Sequence, residues 1–183
     1  MSEDAATLSR GRGIELALAI EDDGWDDALW GDLRRLVERA VAAAAERAVL
    51  LGAIETELSV VLTGDAAVHE LNRQWRDKDR PTNVLSFPAF DIRPGEMPGP
   101  LVGDIVVARE TVLAEAAAEG KLPREHFAHL IVHGFLHCLG YDHLEETDAE
   151  TMERLEVTIL ADLGIADPYG VSEEASPSME ASR

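Results

Sequence analysis

Residues 133–143 read HGFLHCLGYDH, with histidines at offsets 0, 4 and 10. Residues four apart on an α-helix lie about 40° apart around the axis, one turn along. His133 and His137 therefore project from one face, the usual helical way to offer two imidazoles to one metal ion. His143 lies too far along to share that face if the helix continues. Gly140 resolves this, because a glycine takes the left-handed conformation that ends a helix and lets the chain turn back. Three neutral imidazoles at about 2.0–2.1 Å from zinc leave one tetrahedral position for a water, whose pKa falls towards 7. That pattern belongs to a catalytic site more than to a structural one.

The neighbours of these ligands narrow the chemistry. His126 and His129 extend the stripe at spacing 3, 4, 4 and read chiefly as packed, hydrogen-bonded groups on the same buried face. Supporting groups behind the ligands, or extra ligands, are the alternatives. Cys138 points about 100° away from His137 and reads as core. The ligand and glycine spacing matches the long zinc-protease pattern H-E-x-x-H-x-x-G-x-x-H. There the residue after the first histidine is the glutamate that activates the water; here it is Gly134. Met152, downstream, falls inside a helical pattern and reads as core rather than as a methionine turn under a metal. The coordination is present and the peptide-cleaving base is not.

Several elements must bring these groups together. IELALAI (14–20), ELSVVLT (57–63), NVLSFP (83–88) and GDIVVA (103–108) read as strands by β-branched content and alternation. Helices are expected over about 26–51, 65–76, 109–120, 123–139 and 148–163, with Asp65 as an N-cap, Pro123 in a first turn and Gly140 and Gly164 as stops. The expected fold class is α+β: a single small mixed sheet of about four strands with about five helices packed on it. Residues 1–10 read as a flexible N-terminal segment, 11–170 as one domain and 171–183 as a disordered Ser/Glu-rich tail.

The chain has 183 residues, enough for one domain with a real core. It holds no apolar run of 18 residues and no hydrophobic leader segment, and Cys138 is its single cysteine, so a reducing, cytoplasmic setting is expected. The formal net charge is −20, which argues against a general nucleic-acid binder. The charge is uneven. Residues 142–183 carry 12 acidic and 2 basic side chains, a net of −10. RQWRDKDR (73–80) instead places Arg73, Arg76, Lys78 and Arg80 in one short stretch.

HGFLHCLGYDH, preceded by LNRQWRDKDRPTNVLSFP (71–88) and GDIVVA and followed by DPYG (167–170), resembles the signature of the YbeY family of bacterial endoribonucleases. The resemblance spans roughly residues 10–170. It implies one zinc held by His133, His137 and His143, with nickel also compatible with three imidazoles, and a functional arginine at Arg76. Many members have Asp where this chain has Asn83. The resemblance further implies a single-strand-preferring endoribonuclease acting in 16S rRNA 3′-end maturation and ribosome quality control, with RNA and the ribosome as partners. The residues are compatible with this: Arg76 offers a planar fork for phosphate oxygens, and Arg73, Lys78 and Arg80 extend the positive surface. Two readings stand for Trp75, helix core or base stacking, and two for Asp142, orienting His143 or capping the turn. A zinc hydrolase of another class and a non-catalytic assembly factor with structural zinc are the competing functions.

Overall fold

The computed structural model describes residues 10–11, 13–48, 55–78 and 82–170. The remainder of the expected N-terminal segment before Arg10, the tail 171–183 and Arg80 lie outside the described residues. Five strands form one sheet: β1 (Arg10–Gly11), β2 (Ile14–Ile20), β3 (Thr56–Thr63), β4 (Val84–Pro88) and β5 (Leu101–Ala108), in the order β1-β2-β3-β5-β4. The inner pairs β2–β3 and β3–β5 are parallel; β1 and β4 run antiparallel at the two edges. Six helices complete the α+β fold: α1 (Asp27–Trp30), α2 (Leu33–Arg47), α3 (Asp65–Arg76), α4 (Arg109–Glu119), α5 (Pro123–Cys138) and α6 (Glu146–Asp162). Among the described residues no helix is long and apolar enough to cross a membrane.

The four expected strands are present, and the two-residue β1 adds a fifth at the edge. The long helix expected over 26–51 is broken in two. Two aspartates cause the break, since Asp26 accepts from Leu29 N at 3.0 Å and Asp32 accepts from Arg35 N at 3.0 Å. Each satisfies a main-chain donor that the first turn of a helix leaves open. The break turns Trp30 into the core, where it packs on Trp25 at 4.4 Å and on Phe127 at 6.0 Å between ring centroids.

Phe127 belongs to α5, the helix at the centre of the fold. Phe127, Ala128, Leu130, Ile131, Val132, Phe135, Leu136 and Cys138 are all buried. A helix apolar on nearly every side must be enclosed on nearly every side, and α5 packs on α2, α4, α6, β4 and β5. Gly134 marks its closest approach to the sheet: a Cβ there would lie 3.0 Å from Ser86 Oγ on β4 and 3.2 Å from Ile105 Cγ2 on β5. Past its first turn, His129, His133 and His137 are the residues of α5 that the packing does not fully bury.

Candidate metal centre and cleft

His133 and His137 stand one turn apart on α5, and their Nε2 atoms face each other at 3.0 Å. His143 joins them from the loop after the helix, and the three ligand atoms all lie within 4.8 Å of one another. Gly140 makes the return possible in two ways. Its φ of 92° lies in the left-handed region, and a Cβ at this position would overlap the Ile92 carbonyl oxygen. The chain turns there while pressed against the loop that follows β4.

The other ring nitrogens are held. His137 Nδ1 is 2.9 Å from the Tyr141 carbonyl oxygen, and His133 Nδ1 is 2.6 Å from Glu156 Oε1. A carbonyl and a carboxylate only accept, so both Nδ1 atoms carry the proton. Both Nε2 lone pairs then converge across 3.0 Å, which is unfavourable unless a cation lies between them. A tetrahedral ion with bonds of 2.0–2.1 Å separates its ligands by roughly 3.3 Å, so the pair fits a metal. Burial first, then neighbouring His133 and His143, lower the pKa of His137 to about 4. It is therefore neutral at physiological pH, as a ligand must be.

Glu156, on α6, has no exposed surface. Its second oxygen lies 3.0 Å from His129 Nε2 and accepts a short hydrogen bond from the Tyr169 hydroxyl. Burial alone would raise this carboxyl. The hydrogen bonds from His129 and His133, the electrostatic pull of the His133 ring and the Tyr169 hydroxyl outweigh it and hold the pKa at about 2. Neither Glu156 nor Tyr169 was expected from the sequence. The available signal was a glutamate on the α6 face shared with buried Met152, Ile159 and Leu160, which a solvated helix face does not explain.

The other two histidines of α5 sort themselves. His129 supports the centre through the shared Glu156. His126 is turned elsewhere, with Nε2 2.7 Å from Glu115, which also accepts from Asn83 Nδ2 at 3.0 Å. Cys138 is buried, and burial pushes its thiol up to about 12. Met152 is buried as expected. Asp142 accepts from the His143 main-chain N–H at 2.7 Å, so the turn-capping reading holds.

The three histidines open onto a cleft of about 780 Å³ that runs beside β4 and is also lined by Arg76, Lys78, Phe90, Tyr141 and Leu144. Arg76, the last residue of α3, reaches across to β4: its Nη2 donates to Ser86 O at 2.7 Å, and its Cζ lies 5.7 Å from the Phe87 ring centroid. Arg73 turns away and pairs with Glu70 at 2.6 Å. Trp75 is 70% exposed, which removes the helix-core reading, and it is not among the residues lining the cleft.

A mixed sheet carrying a central helix, with three converging imidazoles and an arginine in one cleft, defines a small α+β protein built around a metal-type centre. A family profile described as Endoribonuclease YbeY matches residues 20–164. Proteins named Endoribonuclease YbeY from Azorhizobium caulinodans, Sinorhizobium fredii and Allorhizobium ampelinum are 50%, 49% and 48% identical to this chain. The alignments cover 88%, 86% and 85% of this chain and 99%, 92% and 95% of those proteins. The chain belongs to the YbeY endoribonuclease family.

Proposed function

We propose that the protein is a zinc-dependent endoribonuclease that cuts single-stranded RNA in the cytoplasm, acting on the 16S rRNA precursor at its 3′ end and in ribosome quality control. Membership of the family supports the nuclease class. One observation carries the site assignment: Arg76 lies in the same cleft as His133, His137 and His143. His133, His137 and His143 would hold the metal, which would supply an acidified water and a Lewis acid for a phosphoryl oxygen. Nickel suits the same ligands, so metal analysis of the purified protein identifies the ion.

The chain's own residues do the rest. Glu156 and the Tyr141 carbonyl fix the ligand tautomers, so both imidazoles present lone pairs without rearrangement. Arg76 is anchored to β4 by one nitrogen and has four further N–H bonds for phosphate oxygens. Lys78 adds a second cation along the strand's path. Gly134, facing the sheet, carries no carboxylate for peptide chemistry. Few cations on an acidic body favour engagement of the RNA through the ribosome over capture of bulk RNA.

The test is cleavage of a 16S precursor by wild-type protein and by Arg76→Ala. A lost charged hydrogen bond to phosphate costs about 1.5–3 kcal/mol, or roughly 10- to 150-fold in kcat/KM. Because Arg76 is exposed, the variant keeps its fold. Wild-type cleavage rates in Arg76→Ala sink the role given to this residue. Full cleavage by a folded His133→Ala sinks the catalytic metal.

A further inference from the structure

β4 is the last strand of the sheet, and its free edge forms one wall of the cleft. Asn83 O accepts from Ala108 N at 2.9 Å, and Ala89 N donates to Val102 O at 3.1 Å. With Val84 opposite Val107, Ser86 opposite Ile105 and Pro88 opposite Gly103, antiparallel alternation fixes which residues bond to β5. Positions 83, 85, 87 and 89 face the neighbour. Positions 84, 86 and 88 turn their main-chain groups outward.

Three of the six outward positions are lost or already engaged. Val84 N–H is taken by Asn83 Oδ1 at 2.7 Å, Ser86 O accepts from Arg76 at 2.7 Å, and Pro88 has no N–H. An added peptide strand needs alternating donors and acceptors, so this edge is poorly suited to pairing with one. One donor remains, the Ser86 N–H, and none of the described residues accepts it. It lies beside the Arg76 guanidinium in the cleft that holds the three histidines.

We propose that the Ser86 main-chain N–H donates to a non-bridging oxygen of the scissile phosphate, with Arg76 alongside it. This rests on the nuclease reading. A donor fixed in a strand needs no reorganisation as charge develops on that oxygen, which is where such groups accelerate a reaction most. An edge with a single outward donor left is thereby suited to one phosphate oxygen more than to a peptide strand.

The experiment uses a single-stranded RNA substrate with one Rp or one Sp phosphorothioate at the cleaved linkage. Sulfur is a poorer hydrogen-bond acceptor than oxygen, so an oxygen bound by Ser86 N–H shows a rate penalty when replaced. Ser86→Pro removes the N–H, and because that group makes no ladder bond, an edge-strand proline is tolerated. Ser86→Ala removes the hydroxyl and keeps the N–H. The expected result is a kcat about 10²-fold lower in Ser86→Pro, with melting temperature and metal content retained and the sulfur penalty at one oxygen abolished. Ser86→Ala keeps that penalty whatever its rate. Ser86→Pro with wild-type kcat and both sulfur penalties intact overturns the proposal and leaves the nuclease reading standing. Wild-type protein that carries metal and cleaves peptides but no RNA overturns both. Should the proline variant not fold, an ester in place of the Leu85–Ser86 amide removes the same N–H and is read on the same sulfur penalties.

Discussion

A carboxylate with no exposed surface is costly unless donors match its oxygens. Glu156 meets that condition with His133 on one oxygen and His129 and Tyr169 on the other. Its burial makes sense as a device that fixes a ligand. Glu156→Gln keeps the shape but replaces one oxygen by an amide that points a donor at a donor. Metal affinity is expected to fall about 10- to 100-fold, measured by competition with a chromophoric chelator. Unchanged affinity in a folded variant removes Glu156 from the centre. The pairing of His133 and His137 was legible because a spacing of four is a property of the helix, and the return of His143 because Gly140 marks where the chain can turn back. Glu156 and Tyr169 were not, because their meeting with α5 depends on how α6 and the last loop dock.

Elements decide what each residue is able to reach. Gly134 shows this: its missing Cβ lets α5 lie against β4 and β5, so position 134 faces the sheet. Gly134→Glu, which restores the protease pattern in sequence, therefore places a carboxylate between α5 and Ser86. The expected outcome is a loss of about 1–3 kcal/mol from overpacking with no gain of peptidase activity, checked by urea unfolding and a peptide assay. A second element-level contact joins the loop after β2 to α4. Asp22 accepts from Gly24 N at 2.7 Å and from Arg109 at 3.0 Å, and these two contacts, in that order, hold its carboxyl below its ordinary value. A depressed folded pKa stabilises above the unfolded value and loses that contribution as pH falls through the folded one. The stability gap between wild type and Asp22→Asn is thus present at pH 7 and narrows below about pH 4; a gap constant down to pH 2 removes the electrostatic account. Strand and helix identities followed from periodicity, and the sheet order did not. The proline of VLSFP is a signal of an edge strand, but nothing in the segment places β4 beside β5, and the Asp26 and Asp32 caps that split the expected first helix were outweighed by its long Ala/Leu/Glu pattern.

At the scale of the molecule, the chain carries a net charge of −20 and the described cations of the cleft are Arg76 and Lys78. Counterion release from a single strand gives a slope of about −0.7 per neutralised phosphate. With about two such contacts, log affinity for a short RNA should fall with log salt at a slope of about −1.4. A slope steeper than about −4 would mean that a larger basic surface engages the RNA. The composition already carried this conclusion, because a net charge is a sum over the chain and needs no fold. The closeness of Arg76 to the histidines needed the fold, since α3 and α5 are separated by two strands and a helix in sequence.

Cys138 gives one further handle. It is the chain's single thiol, 1% exposed, and it follows a ligand on the most enclosed helix. A thiol reagent reaches it only when α5 opens, so the labelling rate reports how readily that opening occurs. The protein thus contains its own clock for the opening of its central helix. Run with and without added metal, that clock tests whether an ion at the three histidines would hold the centre of the fold shut.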